Sequence, residues 1–266
     1  MAFAQISFMS GSLMRNVTFS AVVPIERLPF LGMPEREPKP LKTLYLLHGI
    51  FGHYMDWIID SRIQSFAQER NLAVIMPSGE NKFYVDNEAS LDMYGVFIGE
   101  ELVRFTRELF PLSRDRKDTF IAGLSMGGYG AIRNGLKYAD TFGYIAGLSS
   151  ALIQEEVLAS TYDIRNSPFG SRKYYESVFG DINKLQGSDM DVCALVKNRL
   201  AENKPIPNIY IACGTEDMLI QNNRAFRDFL IQNKVPVEYV EGPGEHNSAF
   251  WNTYIEKVLD WLPCEE

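Results

Sequence analysis

Cysteine, histidine, positive charge and long apolar runs are all scarce in this chain. The three cysteines, Cys193, Cys213 and Cys264, are an odd number and none forms a C-x-x-C pair. That spacing argues against a disulfide framework and a zinc knuckle, and suits a reducing compartment. Lys and Arg number 26 against 34 Asp and Glu, a formal charge of -8. Nucleic acid or an anionic membrane surface would repel such a chain, so neither is expected as its main partner. No segment approaches the roughly 18 uninterrupted apolar residues of a spanning helix. Met1 to Ser12 holds no Lys or Arg, and no continuous apolar block precedes Arg15, so the parts of a secretory leader are missing. The expectation is a cytoplasmic protein. No internal repeat, low-complexity tract or interdomain linker stands out.

What is present is enough apolar residue for a sizeable core. Of 266 residues, 46% are hydrophobic, which fits a single α/β domain over 1–266. Two strand-like stretches, Ala4 to Phe8 and Val17 to Val23, precede a loop carrying Pro24, Pro29, Pro34, Pro38 and Pro40, expected on the surface. Then short apolar runs bounded by turn residues recur at Thr43 to Leu47, Leu72 to Met76, Phe120 to Leu124, Tyr144 to Leu148 and Ile209 to Cys213. Such runs read as strands buried on both faces. Helical patterns alternate with them, the clearest being Met93 to Phe110, with Val96, Phe97, Leu102, Val103, Phe105, Leu109 and Phe110 on its apolar face. Alternation predicts a mostly parallel sheet covered on both sides, with ligands beyond the carboxyl ends of the strands. Ser150 to Pro207 breaks the rhythm and reads as an insertion, cap-like in character, before the next core strand.

Gly123-Leu124-Ser125-Met126-Gly127 is G-x-S-x-G, placed between the apolar strand Thr119 to Ala122 and the helical stretch Gly128 to Lys137. A sharp strand-to-helix turn points a serine hydroxyl into a cleft, and glycines on either side leave room for its strained backbone. The helix N-terminus that follows offers N–H groups and a positive dipole end to an oxyanion. Ser125 is therefore the candidate nucleophile of an α/β-hydrolase fold.

Histidine arithmetic narrows the base. Only His48, His53 and His246 exist, and the order Ser…Asp…His leaves His246. It lies in a loop after the strand Val237 to Val240 and before the helix Ala249 to Leu262. Asp217, in Gly214-Thr215-Glu216-Asp217, follows the strand ending at Cys213 and is the preferred orienting acid; Glu216 is its rival. An aspartate there could equally cap a helix.

His48-Gly49-Ile50-Phe51-Gly52 matches the H-G-x-x-G loop that donates one oxyanion N–H, the other coming from Met126. Ile50 is the preferred donor and Phe51 the alternative. His48 and His53 lack a third ligand at metal spacing, so no metal is expected, and His48 reads as a loop-packing residue. Phe51, Trp57, Tyr84 and Trp251 flank these loops as candidate pocket walls, although core packing would also explain the aromatic residues.

Leu44-Tyr45-Leu46-Leu47-His48-Gly49, Phe120 to Gly130 and Cys213 to Asp217 resemble the esterase family that holds tributyrin esterase, esterase D (S-formylglutathione hydrolase) and feruloyl esterases, bacterial tributyrin esterases above all. The resemblance runs from about Lys42 to the C-terminus. It implies cofactor-free hydrolysis of short-chain carboxylic esters, with Ser125, Asp217 and His246 as catalytic residues and Ile50 and Met126 as oxyanion amides. Two departures, the bulky Phe51 and the pair Asn247-Ser248 after His246, fall where the substrate is expected. The rival substrates are feruloyl or acetyl esters of plant cell-wall oligosaccharides and the thioester S-formylglutathione. A non-catalytic ligand-binding module is the rival of a different class. A small-molecule ester is the expected partner; the sequence leaves homo-oligomerisation open. If His246 is the base, ester hydrolysis should fall as the pH is lowered from about 8 to about 5, where an ordinary imidazole gains its proton. A flat rate profile across that range would exclude a histidine base.

Overall fold

The computed structural model describes residues 1–26, 39–163 and 169–264. Its frame is an eight-stranded sheet built from β1 (Ala2–Ser10), β2 (Arg15–Val23), β3 (Lys42–Leu47), β4 (Leu72–Pro77), β7 (Thr119–Leu124), β8 (Tyr144–Leu148), β9 (Asn208–Gly214) and β10 (Val237–Gly242). A two-stranded ribbon, β5 (Asp86–Asn87) with β6 (Asp92–Met93), lies apart from it. The strand order is β1-β2-β4-β3-β7-β8-β9-β10. The β1–β2 and β2–β4 pairs are antiparallel and all later neighbours are parallel. The architecture is the α/β-hydrolase fold.

Alternation along the parallel strands sorts side chains into two cores. Tyr45, Leu47, Ala73, Ile75, Ile121, Ile145, Ile209 and Ile211 face one side. Leu44, Leu46, Val74, Met76, Phe120, Ala122, Ala146, Tyr210 and Ala212 face the other. Both parities are apolar because helices cover both faces, which is why these strands read as continuous apolar runs. The first face is covered by α4 (Leu102–Leu109), α5 (Met126–Lys137) and α9 (Ile220–Gln232). The second is covered by α1 (Asp56–Asp60), α2 (Ile63–Glu69) and α10 (Ser248–Trp261). Each fully buried Leu, Ile or Phe contributes about 1.5–3 kcal/mol by leaving water.

One expectation changes. The stretch predicted as one helix from Met93 to Phe110 is α3 (Tyr94–Val96), a π-type turn Phe97–Glu101 and then α4. Glu101, at the end of that turn, accepts hydrogen bonds from Ser10 Oγ at 2.6 Å and the Gly11 amide at 2.7 Å, tying the β1–β2 turn to the helix. Leu109 is exposed rather than on the apolar face, because the backbone becomes extended at Phe110. The segment 150–207 holds α6 (Gln154–Ala159), α7 (Arg172–Phe179) and α8 (Val192–Ala201). Val157, Tyr175, Val178, Val192 and Val196 from it bury into the same apolar cluster as the sheet. Pro29, Pro34 and Pro38 of the proline-bearing loop lie outside the described residues. Among the described residues no helix is long and apolar enough to cross a membrane.

Between β7 and α5 the chain reverses at Ser125, whose backbone sits at φ 54°, ψ -117°. A Cβ on Gly123 would run into the Gly127 carbonyl, and one on Gly127 would lie 2.6 Å from the Leu47 carbonyl oxygen and 2.5 Å from that of His48. Both obstructions are backbone, which cannot swing aside. Gly127→Ala should therefore destabilise the fold by about 1–3 kcal/mol through overpacking, read as a lower urea midpoint. An unchanged midpoint would show that the turn has slack.

Candidate active site

Three loops at the carboxyl ends of β7, β9 and β10 converge. Ser125 Oγ lies 3.0 Å from His246 Nε2, and His246 Nδ1 lies 2.9 Å and 3.1 Å from the two carboxylate oxygens of Asp217. An ionised carboxylate can only accept, so Nδ1 carries the proton and donates it to Asp217. Nε2 is then the acceptor for the Ser125 hydroxyl. Asp217 is 2% exposed. Burial alone would push its pKa up, but hydrogen bonds from His246, the Leu219 amide and Ser149 hold it below the usual carboxylate range. It is ionised across the working range of a histidine base.

Glu216, the rival acid, does something else. Its Oε2 accepts the Gly244 N–H at 2.6 Å while its own amide donates to the Gly244 carbonyl at 3.1 Å. These bonds anchor the loop that presents His246. A side chain at Gly214 would strike that same Gly244 carbonyl, so the small residue lets the loops after β9 and β10 meet.

His48 is fully committed to packing. Its Nδ1–H donates to the Gly49 carbonyl at 2.6 Å and its Nε2 accepts the Gly79 N–H at 2.8 Å. Burial pushes its pKa down, which keeps it neutral. His53 is exposed beside Asp56 at 3.1 Å. Among the described residues no group of three or more His, Cys, Asp or Glu could hold a metal.

A cavity of about 340 Å³ opens on Ser125 and His246. Ile50, Phe51, Trp57 and Trp251 line it, with Leu124 and Ser248. Trp57 donates its indole N–H to the Leu47 carbonyl at 3.1 Å. Trp251 meets the His246 ring edge-on, centroids 5.0 Å apart, and donates to Ser149 Oγ at 3.1 Å. Tyr84 does not line the cavity, contrary to expectation. It is fully buried beneath the loop, its hydroxyl donating to the His48 carbonyl at 2.9 Å. Asn247 does not line it either; its side chain caps α10 by accepting the Phe250 N–H at 3.2 Å.

The Phe51 N–H is taken by Asn81 Oδ1 at 2.8 Å, and Gly52 N–H by the Gly49 carbonyl at 3.2 Å. Among the described residues no acceptor takes the Ile50 or the Met126 N–H. Met126 is the first residue of α5, its side chain buried in the core. Ser149, Asn81, Asp56 and Asp60 are neighbours of the site that sequence reasoning did not single out. Ser149 and Asn81 stand in turns after strands and Asp56 and Asp60 at the two ends of α1, where such residues are ordinary.

A model of the family described as Putative esterase matches residues 24–259. The chain belongs to this esterase family. The esterase is 46% identical over 262 residues to an acetyl esterase of Caldicellulosiruptor saccharolyticus, with 98% of each chain covered. Among solved structures it resembles the fluorophosphonate-binding serine hydrolase FphF of Staphylococcus aureus, at 31% identity, TM-score 0.84 and 98% of both chains. It is similarly like the S-formylglutathione hydrolase FrmB of Staphylococcus aureus, at 31% identity, TM-score 0.83 and 98% of both chains. The esterase is accordingly a carboxylic ester hydrolase and not a non-catalytic module of this fold.

The two adjacent acids should separate on mutation. Asp217→Asn should lower kcat by roughly 10⁴-fold through the wrong imidazole tautomer, whereas Glu216→Gln should cost no more than about tenfold through a looser loop. Kinetics with p-nitrophenyl acetate check this; the reverse ranking would move the acid to Glu216.

Proposed function

We propose that the esterase is a serine carboxylesterase that hydrolyses short-chain acyl esters through an acyl-enzyme on Ser125. The observation that carries this reading is the unbroken hydrogen-bonded line from Asp217 through His246 to Ser125, ending at a cavity wall. His246 takes the serine proton as Oγ attacks the ester carbonyl, and Asp217 holds the tautomer and stabilises the imidazolium. The carbonyl oxygen, now negative, is met by the N–H groups of Ile50 and Met126. The imidazolium protonates the departing alcohol oxygen. Water, activated by the same imidazole, then releases the acid and restores the serine.

Substrate size follows from the cavity. Trp57, Trp251, Leu124 and Ile50 give it apolar walls of rigid side chains, which suit a compact acyl group. The relative at 46% identity is an acetyl esterase, in keeping with a short acyl chain. Glutathione thioesters, the substrate class named for FrmB, are the second reading. The lining contains Asp56 and Asp60 and neither Lys nor Arg, so an anionic glutathione adduct meets like charge. Neutral esters are favoured.

Ser125→Ala should lower kcat by about 10⁴-fold or more while the thermal midpoint changes little. Fluorophosphonate should label Ser125 in the native protein. Kinetics on p-nitrophenyl acetate and butyrate, methyl ferulate and S-formylglutathione test the substrate. Preference for the ferulate or the thioester would overturn the short-acyl assignment, and near-normal turnover by the alanine variant would overturn the nucleophile.

A further inference from the structure

Ser78, Gly79 and Asn81, which follow β4, make three hydrogen bonds to the loop that follows β3. Ser78 Oγ accepts the Tyr54 N–H at 3.1 Å, the Gly79 N–H donates to His48 Nε2 at 2.8 Å, and Asn81 Oδ1 accepts the Phe51 N–H at 2.8 Å. The third bears on chemistry. Phe51 is held at φ 69°, a left-handed backbone that is unfavourable for a residue with a Cβ. Relaxing that angle would rotate the Ile50–Phe51 peptide and present a different amide. Asn81 opposes the rotation by holding the Phe51 N–H.

Asn81 is itself held from the far side. The Tyr174 hydroxyl of α7 donates to the Asn81 carbonyl at 2.8 Å. An aromatic chain runs parallel to this bond: Phe51 meets Phe169 edge-on at 4.7 Å between centroids, and Phe169 meets Tyr174 at 5.1 Å. Asn87 Nδ2 adds a bond to the Ser177 carbonyl of α7 at 3.2 Å. The segment inserted between β8 and β9 thus reaches the loop beside Ser125 by two routes, Tyr174 through Asn81 and Phe169 directly on Phe51.

We propose that Asn81 is a positioning residue for the oxyanion hole. It removes the Phe51 N–H from competition with the Ile50 N–H, which has no acceptor among the described residues, and is braced by Tyr174 of the inserted segment. This rests on the serine esterase reading and assigns the insertion a role within it. Because an oxyanion exists only in the transition state, loss of the bond should appear in kcat and not in ground-state binding.

The test compares Asn81→Ala, Tyr174→Phe and the double variant on p-nitrophenyl butyrate, with rates normalised to sites titrated by a fluorophosphonate. Asn81→Ala should lower kcat by about 10- to 100-fold with KM within about twofold, and raise the Ki of a trifluoromethyl ketone by the same factor as kcat/KM falls. Tyr174→Phe should cost a few-fold alone and nothing further beside Asn81→Ala. Wild-type kcat per titrated site in Asn81→Ala, an unmoved ketone Ki, or losses that multiply in the double variant would each overturn the proposal. Should Asn81→Ala yield no titratable sites, Tyr174→Phe must by itself show the loss confined to kcat, or the proposal fails. Retained activity in Ser125→Ala would instead remove the reading beneath it.

Discussion

The constraint on which this structure depends is the strained turn at Ser125. A side chain is held at φ 54° only because the surrounding backbone leaves no alternative. The Ser125 amide donates to the Leu148 carbonyl at 2.8 Å, while its carbonyl accepts from Tyr129 at 3.1 Å and Ala151 at 2.9 Å. β8 and the first turn of α5 therefore grip the residue from both sides. The same close approach presses Gly127 against the carbonyls of Leu47 and His48, fixing the serine relative to the loop after β3. Position of the hydroxyl and position of the loop after β3 are consequences of one packing contact.

Parallel topology supplies the rest of the site. With β7, β9 and β10 all pointing the same way, their following loops share one rim of the sheet, and residues distant in the chain meet there. The two acids after β9 divide the labour by direction. Asp217 turns inward to the imidazole and is buried, and Glu216 turns to the backbone of Gly244 and is exposed. Adjacent residues of like charge thus avoid competing for one partner.

The inserted segment joins the body of the protein. Its apolar side chains enter the core on the α5 side, and Tyr129 of α5 donates its hydroxyl to the Met190 carbonyl at 2.7 Å. Arg133, wholly buried on α5, reaches Asp189 Oδ2 at 2.6 Å and Asp86 Oδ2 at 3.3 Å. A buried guanidinium requires such partners, so the insertion and the β5–β6 ribbon are tied to the helix that begins at the serine.

The sequence by itself determined the buried strands and singled out Ser125, Asp217 and His246 as candidates, since both leave short-range marks. Strands buried on two faces read as apolar runs, and Gly123-Leu124-Ser125-Met126-Gly127 between a strand and a helix defines a turn from local sterics alone. Scarcity of histidine reduced the candidates for a base to His246 by counting. What only the tertiary structure decided is which neighbour each polar group finds. The sequence favoured Asp217 over Glu216 and the Ile50 amide over that of Phe51, but the partner each one meets comes from the packing; Asn81 sits in a segment that reads as a turn. Tyr84 and Trp251 both flank the candidate-site loops, yet one is sealed under the His48 loop and the other lines the cavity. Hydrogen bonds act over about 3 Å between groups tens of residues apart, so pairing is set by how the loops pack and leaves no trace in the local sequence.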